Sequence, residues 1–187
     1  MLLDEKIVAI SRALGRAGLP HAFGGALALA YYATPRATHD VDLNLFVPSS
    51  GAPAVVAALE PLGVIFREVD LRRIERDGQS RVFWEHTPLD LFFSYDPLHD
   101  SCLERRRSVS FGGDDLYVLS PEDLAIFKVI FDRGKDWQDL AEMIFAGGGS
   151  MDWDYVREWL SRILPGGDPR RERLEGLIES EGKRLPE

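Results

Sequence analysis

The chain of 187 residues has a single cysteine, Cys102. An internal disulfide is therefore excluded, as is a zinc site built from several thiolates, and a reducing compartment suits the composition. Long apolar runs are missing too, and none approaches the ~18 residues of a membrane span. The opening stretch "MLLDEKIVAISRALGRAG" carries charges inside its apolar pattern and lacks the uninterrupted block of a signal peptide. No membrane partner is expected, and a cytoplasmic setting is. Positive charge is in short supply: the formal net charge is -9. That argues against a protein living on non-specific duplex binding, because phosphate contacts dominate that affinity. It does not exclude an enzyme gripping one RNA end through a local patch. Internal repeats and low-complexity linkers are also lacking.

What is present is material for a core, with 45% hydrophobic and 10% aromatic residues. The length suits one domain, or one domain with an appendage. Two stretches concentrate arginine. "REVDLRRIERDGQSR" (67–81) mixes five arginines with four acids and reads as a solvated charged face. "ERRR" (104–107) has no aromatic platform near it in sequence and is a weak candidate for a substrate contact.

Apolar spacing predicts a helix over 3–14, closed by "GLP" at 18–20. "HAF" then leads into Gly24-Gly25 and a helix "ALALAYYA". "VDLNLFV" alternates as a strand, "APAVVAALEPLG" reads as a helix and "VIFREV" as a strand. A helix through "LRRIER", a turn at Asp77-Gly78 and strands "RVFWEH" and "PLDLFFSY" follow. "DPLHDSCLERRR" is a short helix, and "SVSF" and "LYVLS" form a hairpin turning at Gly112-Gly113-Asp114. From Ser120, a helix N-cap with Pro121 at the first helical position, the period is helical to a last charged helix over 168–183. The expectation is α+β: a small mixed sheet flanked by helices (1–119) and a helical C-terminal region (120–187).

Residues two apart on a strand share a face. Asp40, Asp42 and Asn44 therefore point one way, and Val41, Leu43 and Leu45 point to the core. Two neighbouring carboxylates raise the cost of each other's charge, and a hard divalent cation such as magnesium relieves it. Solvated acids at a strand entrance are the alternative. Asp90 alternates with Leu89, Leu91 and Phe93; if its strand lies beside "VDLNL", it completes a three-carboxylate set. Gly24-Gly25 ends a strand and opens a helix, where backbone N–H groups receive phosphate, although the pair can also mark a tight turn. Lys128 lies mid-helix in "PEDLAIFKVIF" and either snorkels or faces a charged site. Asp136 and Asp139 share a helix face. His21 and His39 read as surface or loop histidines, and Cys102 has no partners for a nucleophilic role.

Taken together, "GG", a short helix, "RATHDVDL" and a later "LDLFF" resemble the nucleotidyltransferase superfamily that includes DNA polymerase β. The resemblance covers residues 20–95, with fourteen residues between Gly25 and Asp40. "LSPEDLAIFKVIFDRGKDWQDLAEM" (119–143) is similar to a segment of AbiEii toxin-type bacterial nucleotidyltransferases and their relatives. The resemblance implies a nucleotidyltransferase fold and metal-dependent transfer of an NMP from an NTP to an acceptor hydroxyl. Asp40, Asp42 and Asp90 would be catalytic and hold Mg2+ (or Mn2+), while Gly24, Gly25, Arg36, Thr38, Lys128 and Asp136 would bind the nucleotide. It further implies RNA or tRNA as acceptor and a cognate antitoxin as partner. Small-molecule transfer of the aminoglycoside or lincosamide type, and a catalytically inert binding module, are the alternatives.

Overall fold

Apolar residues three and four apart make α1 (Leu3–Arg16) amphipathic: Ile7, Ile10, Ala13 and Leu14 are buried, with acids in the first turn and Arg16 in the last. In a computed structural model describing residues 1–147 and 150–182, this helix packs on β7 (Asp114–Val118) and on α3 (Ala52–Leu59). The other strands are β1 (His21–Phe23), β2 (Val41–Pro48), β3 (Val64–Ile65), β4 (Gln79–Trp84), β5 (Thr87–Ser94) and β6 (Arg107–Phe111). They form one seven-stranded sheet in the order β3-β4-β5-β2-β1-β7-β6. The β2–β5 and β1–β7 pairs are parallel and the rest antiparallel. The fold class is α+β, as the alternating patterns and the later helical period predict.

The chain divides into two compact units. The first takes Met1–Leu27 and Ala37–Leu119 and holds the whole sheet; the second takes Ala28–Arg36 and the chain from Ser120 onward. Within the first, Val41, Leu43 and Leu45 of β2 and Leu89, Leu91 and Phe93 of β5 are buried. A turn of two residues, Glu85-His86, joins β4 to β5. The buried Lys6 ammonium of α1 fixes that turn. It donates to the Trp84 carbonyl (3.0 Å) and the Thr87 hydroxyl (2.9 Å), and pairs with Glu85 at 2.8 Å.

Two elements are shorter than their patterns predict. The helix behind Gly24 is α2 (Gly25–Leu29) rather than 26–33. The N–H groups of Tyr31 and Tyr32 fold back as turns on the Ala28 and Leu29 carbonyls, and Pro35 disfavours helix just before it. Of "VIFREV" only Val64–Ile65 is strand. Asp70 accepts the Arg67 backbone N–H (3.0 Å) and guanidinium (2.8 Å), so α4 (Glu68–Asp77) starts early. Gly78 then ends α4 in the left-handed conformation. His21 is not a surface residue. It lies buried in β1, where Nδ1–H donates to the Leu19 carbonyl (2.9 Å) and burial lowers its pKa.

After α5 (Pro97–Arg105), which Asp96 caps, the second unit contributes α6 (Pro121–Phe131), α7 (Gly134–Gly147), α8 (Trp153–Ile163) and α9 (Pro169–Gly182). Ser120 caps α6 by accepting the Asp123 N–H at 3.1 Å. Val156 and Leu160 of α8 are buried in packing. Residue 183, the end of the expected last helix, lies outside the described residues. Among the described residues no helix is long and apolar enough to cross a membrane.

Candidate active site

Because the odd-numbered residues of β2 bury into the core, Asp42 must face the other side. Parallel pairing puts Asp42 directly opposite Asp90, as Leu43 is opposite Leu91. Asp40 precedes the strand, and its carboxylate accepts the Thr38 hydroxyl. Antiparallel pairing of β4 with β5 brings Arg81 opposite Asp90 from the other side. Its guanidinium donates both prongs to Asp90, Nε to Oδ1 at 2.7 Å and a terminal nitrogen to Oδ2 at 2.6 Å. The same terminal nitrogen is 3.8 Å from Asp40 Oδ2. Hydrogen bonding to Asp90 raises the Arg81 pKa above its ordinary high value against partial desolvation, and the charges of Asp90, Asp40 and Asp42 add to it. Asp90 and Asp40 thus approach the same guanidinium, whose charge Asp42 also reaches.

The Gly24-Gly25 turn lies against the same group. The Gly24 N–H donates to the Asp42 carbonyl at 2.9 Å, which ties the turn to β2 and commits that amide. Gly25 has φ +52°, and a Cβ there would sit 2.5 Å from Asp42 Cγ. Only glycine accepts both the left-handed backbone and the carboxylate in that space. Gly24 has its own constraint, with a Cβ 2.9 Å from the Asn44 amide nitrogen.

Three carboxylates offer the hard oxygen donors a divalent cation selects, and the Arg81 guanidinium stands in for such a cation among them. The donor set therefore fits magnesium or manganese in chemistry. In this structure Asp90 is gripped by Arg81, and Asp40 accepts the Thr38 hydroxyl. Among the described residues no group of three His, Cys, Asp or Glu side chains is arranged to hold a metal.

Lys128, Asp136 and Arg36 come together within the second unit. Lys128 is buried, with Nζ 2.6 Å from Asp139 Oδ2 and 3.9 Å from Asp136 Oδ1. Arg36 grips Asp139 with two hydrogen bonds (2.9 and 3.1 Å), and Arg133 grips Asp136 (2.6 and 3.2 Å). Burial pushes the Asp139 carboxyl up, but the hydrogen bonds from Arg36 and Lys128 outweigh it and hold it below its ordinary value. Asp139, not among the sequence candidates for nucleotide binding, is the acid that Arg36 and Lys128 share.

Arg81 is the residue that sequence reasoning missed, having been counted in a solvated face. A signal existed. With a two-residue turn at 85–86, Trp84 pairs with Thr87 and position 81 falls opposite 90. In "ERRR", Arg106 does have an aromatic platform: its guanidinium lies over the Tyr117 ring at 4.4 Å, supplied by β7.

The family described as "Uncharacterised nucleotidyltransferase" matches residues 1–163. The chain belongs to that family. It is a nucleotidyltransferase. No curated protein matches the sequence. Solved structures share the fold at low identity. The solution structure of the antibiotic-resistance factor ANT(2'')-Ia has a TM-score of 0.53 at 15% identity, covering 97% of this chain and 93% of that one. An antigenic nucleotidyltransferase-like protein from Paracoccidioides brasiliensis has a TM-score of 0.55 at 18% identity, covering 91% and 92%. The lincomycin-bound lincosamide antibiotic adenylyltransferase LnuA has a TM-score of 0.52 at 10% identity, covering 76% and 96%.

Proposed function

We propose that this nucleotidyltransferase moves an NMP from an NTP to an acceptor hydroxyl at the Asp40, Asp42 and Asp90 carboxylates. The observation that carries the reading is the register of Asp42 against Asp90, with Asp40 at the strand entrance and Gly25 packed on Asp42. Asp40, Asp42 and Asp90 would hold Mg2+ (or Mn2+), which when bound supplies Lewis-acid charge to the phosphates and the attacking oxygen. The acceptor oxygen forms a bond to the α-phosphorus while the bond from that phosphorus to the bridging oxygen breaks. Pyrophosphate leaves, and the hydroxyl proton passes to the Asp90 carboxylate. Thr38 orients Asp40 through its hydrogen bond. Gly24 and Gly25 keep the turn against Asp42 free of side chains that would crowd the nucleotide. Lys128 and Arg36 would contact the triphosphate, a reading that rests on the resemblance of "RATHDVDL" and of residues 119–143 to nucleotidyltransferase motifs. Asp136 would then orient Lys128.

For the acceptor, the net charge of -9 favours a small hydroxylated molecule, cationic or neutral, over a polyanion. Among proteins similar in fold, ANT(2'')-Ia is seen in complex with adenylyl-2''-tobramycin and the lincosamide antibiotic adenylyltransferase LnuA with lincomycin. An RNA or tRNA end, with a cognate antitoxin as partner, is the second reading, and a cytoplasmic setting goes with either. That second reading rests on the AbiEii-type resemblance of residues 119–143. The test is magnesium-dependent NTP binding, lost in a folded Asp40→Asn/Asp42→Asn variant. α-Labelled NTP offered with aminoglycosides, lincosamides or total tRNA then separates the two acceptors.

A further inference from the structure

Arg81 grips carboxylates that the proposed function assigns to a metal. Its half-exposed side chain reaches in from β4, grips both oxygens of Asp90 and extends a terminal nitrogen to within 3.8 Å of Asp40. On the reading that Asp40, Asp42 and Asp90 hold a divalent cation, we infer that Arg81 is their resident counter-cation: a positioning residue that holds them together without metal and competes with it for them.

Three carboxylates brought together without a counter-charge repel one another. A planar guanidinium meets one carboxylate with two parallel hydrogen bonds and still offers a donor sideways. That matches the pattern seen, two bonds to Asp90 and an approach to Asp40. The register of the β4–β5 hairpin, pinned at its turn by Lys6, brings the guanidinium there. A divalent ion at the same oxygens meets that fixed positive charge, so its binding carries a Coulombic penalty and requires Asp90 to loosen from Arg81. The ordinary outcome for an arginine in a charged surface stretch, a pair with its own helix neighbours, is what Arg72 does with Glu68 and Arg76 with Asp77. Arg81 instead faces the carboxylates across two strands.

The experiment is titration of the full chain with Mn2+ and no nucleotide, following free Mn2+ by electron paramagnetic resonance, beside metal-free thermal unfolding. Arg81→Gln removes the charge. It should bind Mn2+ about tenfold tighter than wild type, the scale set by one positive charge near a divalent ion at high effective dielectric. Its metal-free melting temperature should fall, and Mn2+ should restore it. Arg81→Lys keeps the charge but loses the two-pronged grip, and should fall between; it carries the test if Arg81→Gln does not fold. Wild-type Mn2+ binding with equal or weaker binding in the variants would overturn the inference and leave the metal reading standing. Failure of wild type and both folded variants to bind Mn2+ would overturn the metal reading and the inference with it.

Discussion

Gly25→Ala tests how closely the glycine turn and the Asp42 carboxylate are fitted. Gly25 has φ +52° and Gly112 has φ +60°, so alanine meets a similar backbone penalty at both, about 1–2 kcal/mol. Their surroundings differ. A Cβ at Gly112 meets nothing within 4 Å, whereas at Gly25 it lies 2.5 Å from Asp42 Cγ and 3.1 Å from Asp42 Cβ. Relieving that overlap forces Asp42 off its rotamer or shifts β2, which adds about 1–3 kcal/mol by analogy with overpacked cores. Gly112→Ala should therefore lose about 1–2 kcal/mol, and Gly25→Ala about 2–5 kcal/mol in all. At about 2–4 °C per kcal/mol for a chain of this size, the two melting curves should separate by several degrees. Gly25→Ala should also lose magnesium-dependent NTP binding, measured by calorimetry, because Asp42 no longer faces Asp90. Equal melting temperatures with binding intact in Gly25→Ala would refute the close fit.

Lys128→Met removes the ammonium shared by Asp139 and Asp136, leaving buried carboxylates with fewer counter-charges. Urea unfolding should show a loss of about 2–4 kcal/mol, smaller in the Lys128→Met/Asp139→Asn pair than the two single losses together. A loss below about 0.5 kcal/mol, the scale of exposed pairs, would contradict the buried cluster. Asp70 is held low by its hydrogen bonds from Arg67, and Asp139 by those from Arg36 and Lys128 over the opposing effect of burial. A folded-state pKa below the unfolded one gives stability that is present above the ordinary carboxylate value, about 4, and lost as pH falls through the lowered value. Burial lowers the His21 pKa, so its neutral form also gives stability that is lost as pH falls below about 6.5. The urea midpoint should therefore decline gently from about pH 6 and more steeply below about pH 4, the lower part less steeply in Asp70→Asn. A midpoint that stays flat from neutrality to about pH 3 would contradict both the carboxylate and the histidine shifts.

Much of this was legible in the sequence because period-2 patterns decide faces. Leu43 and Leu45 turn inward, so Asp42 turns out, and the same holds for Leu89, Leu91 and Asp90. What the pattern cannot supply is which strand neighbours which. Arg81 went unrecognised because its local stretch is rich in charge, and its partner depends on the β4–β5 register. Lys128 stood out as a lysine amid apolar residues, but its ion pairs with Asp139 and Asp136 come from packing of α6 on α7. Short elements were misjudged where local hydrogen bonds override propensity. Asp70 pulls the start of α4 back into an apparent strand, and the Tyr31 and Tyr32 N–H groups turn back on Ala28 and Leu29 where α2 is expected to run on.

The most direct measurement is calorimetric titration of the full chain with each of the four NTPs, with and without magnesium, in wild type and in Asp40→Asn/Asp42→Asn. The account predicts that wild type binds an NTP only with magnesium and that the double variant, folded by circular dichroism, binds none. A folded wild type that binds no NTP, or a double variant that binds as wild type does, would contradict it.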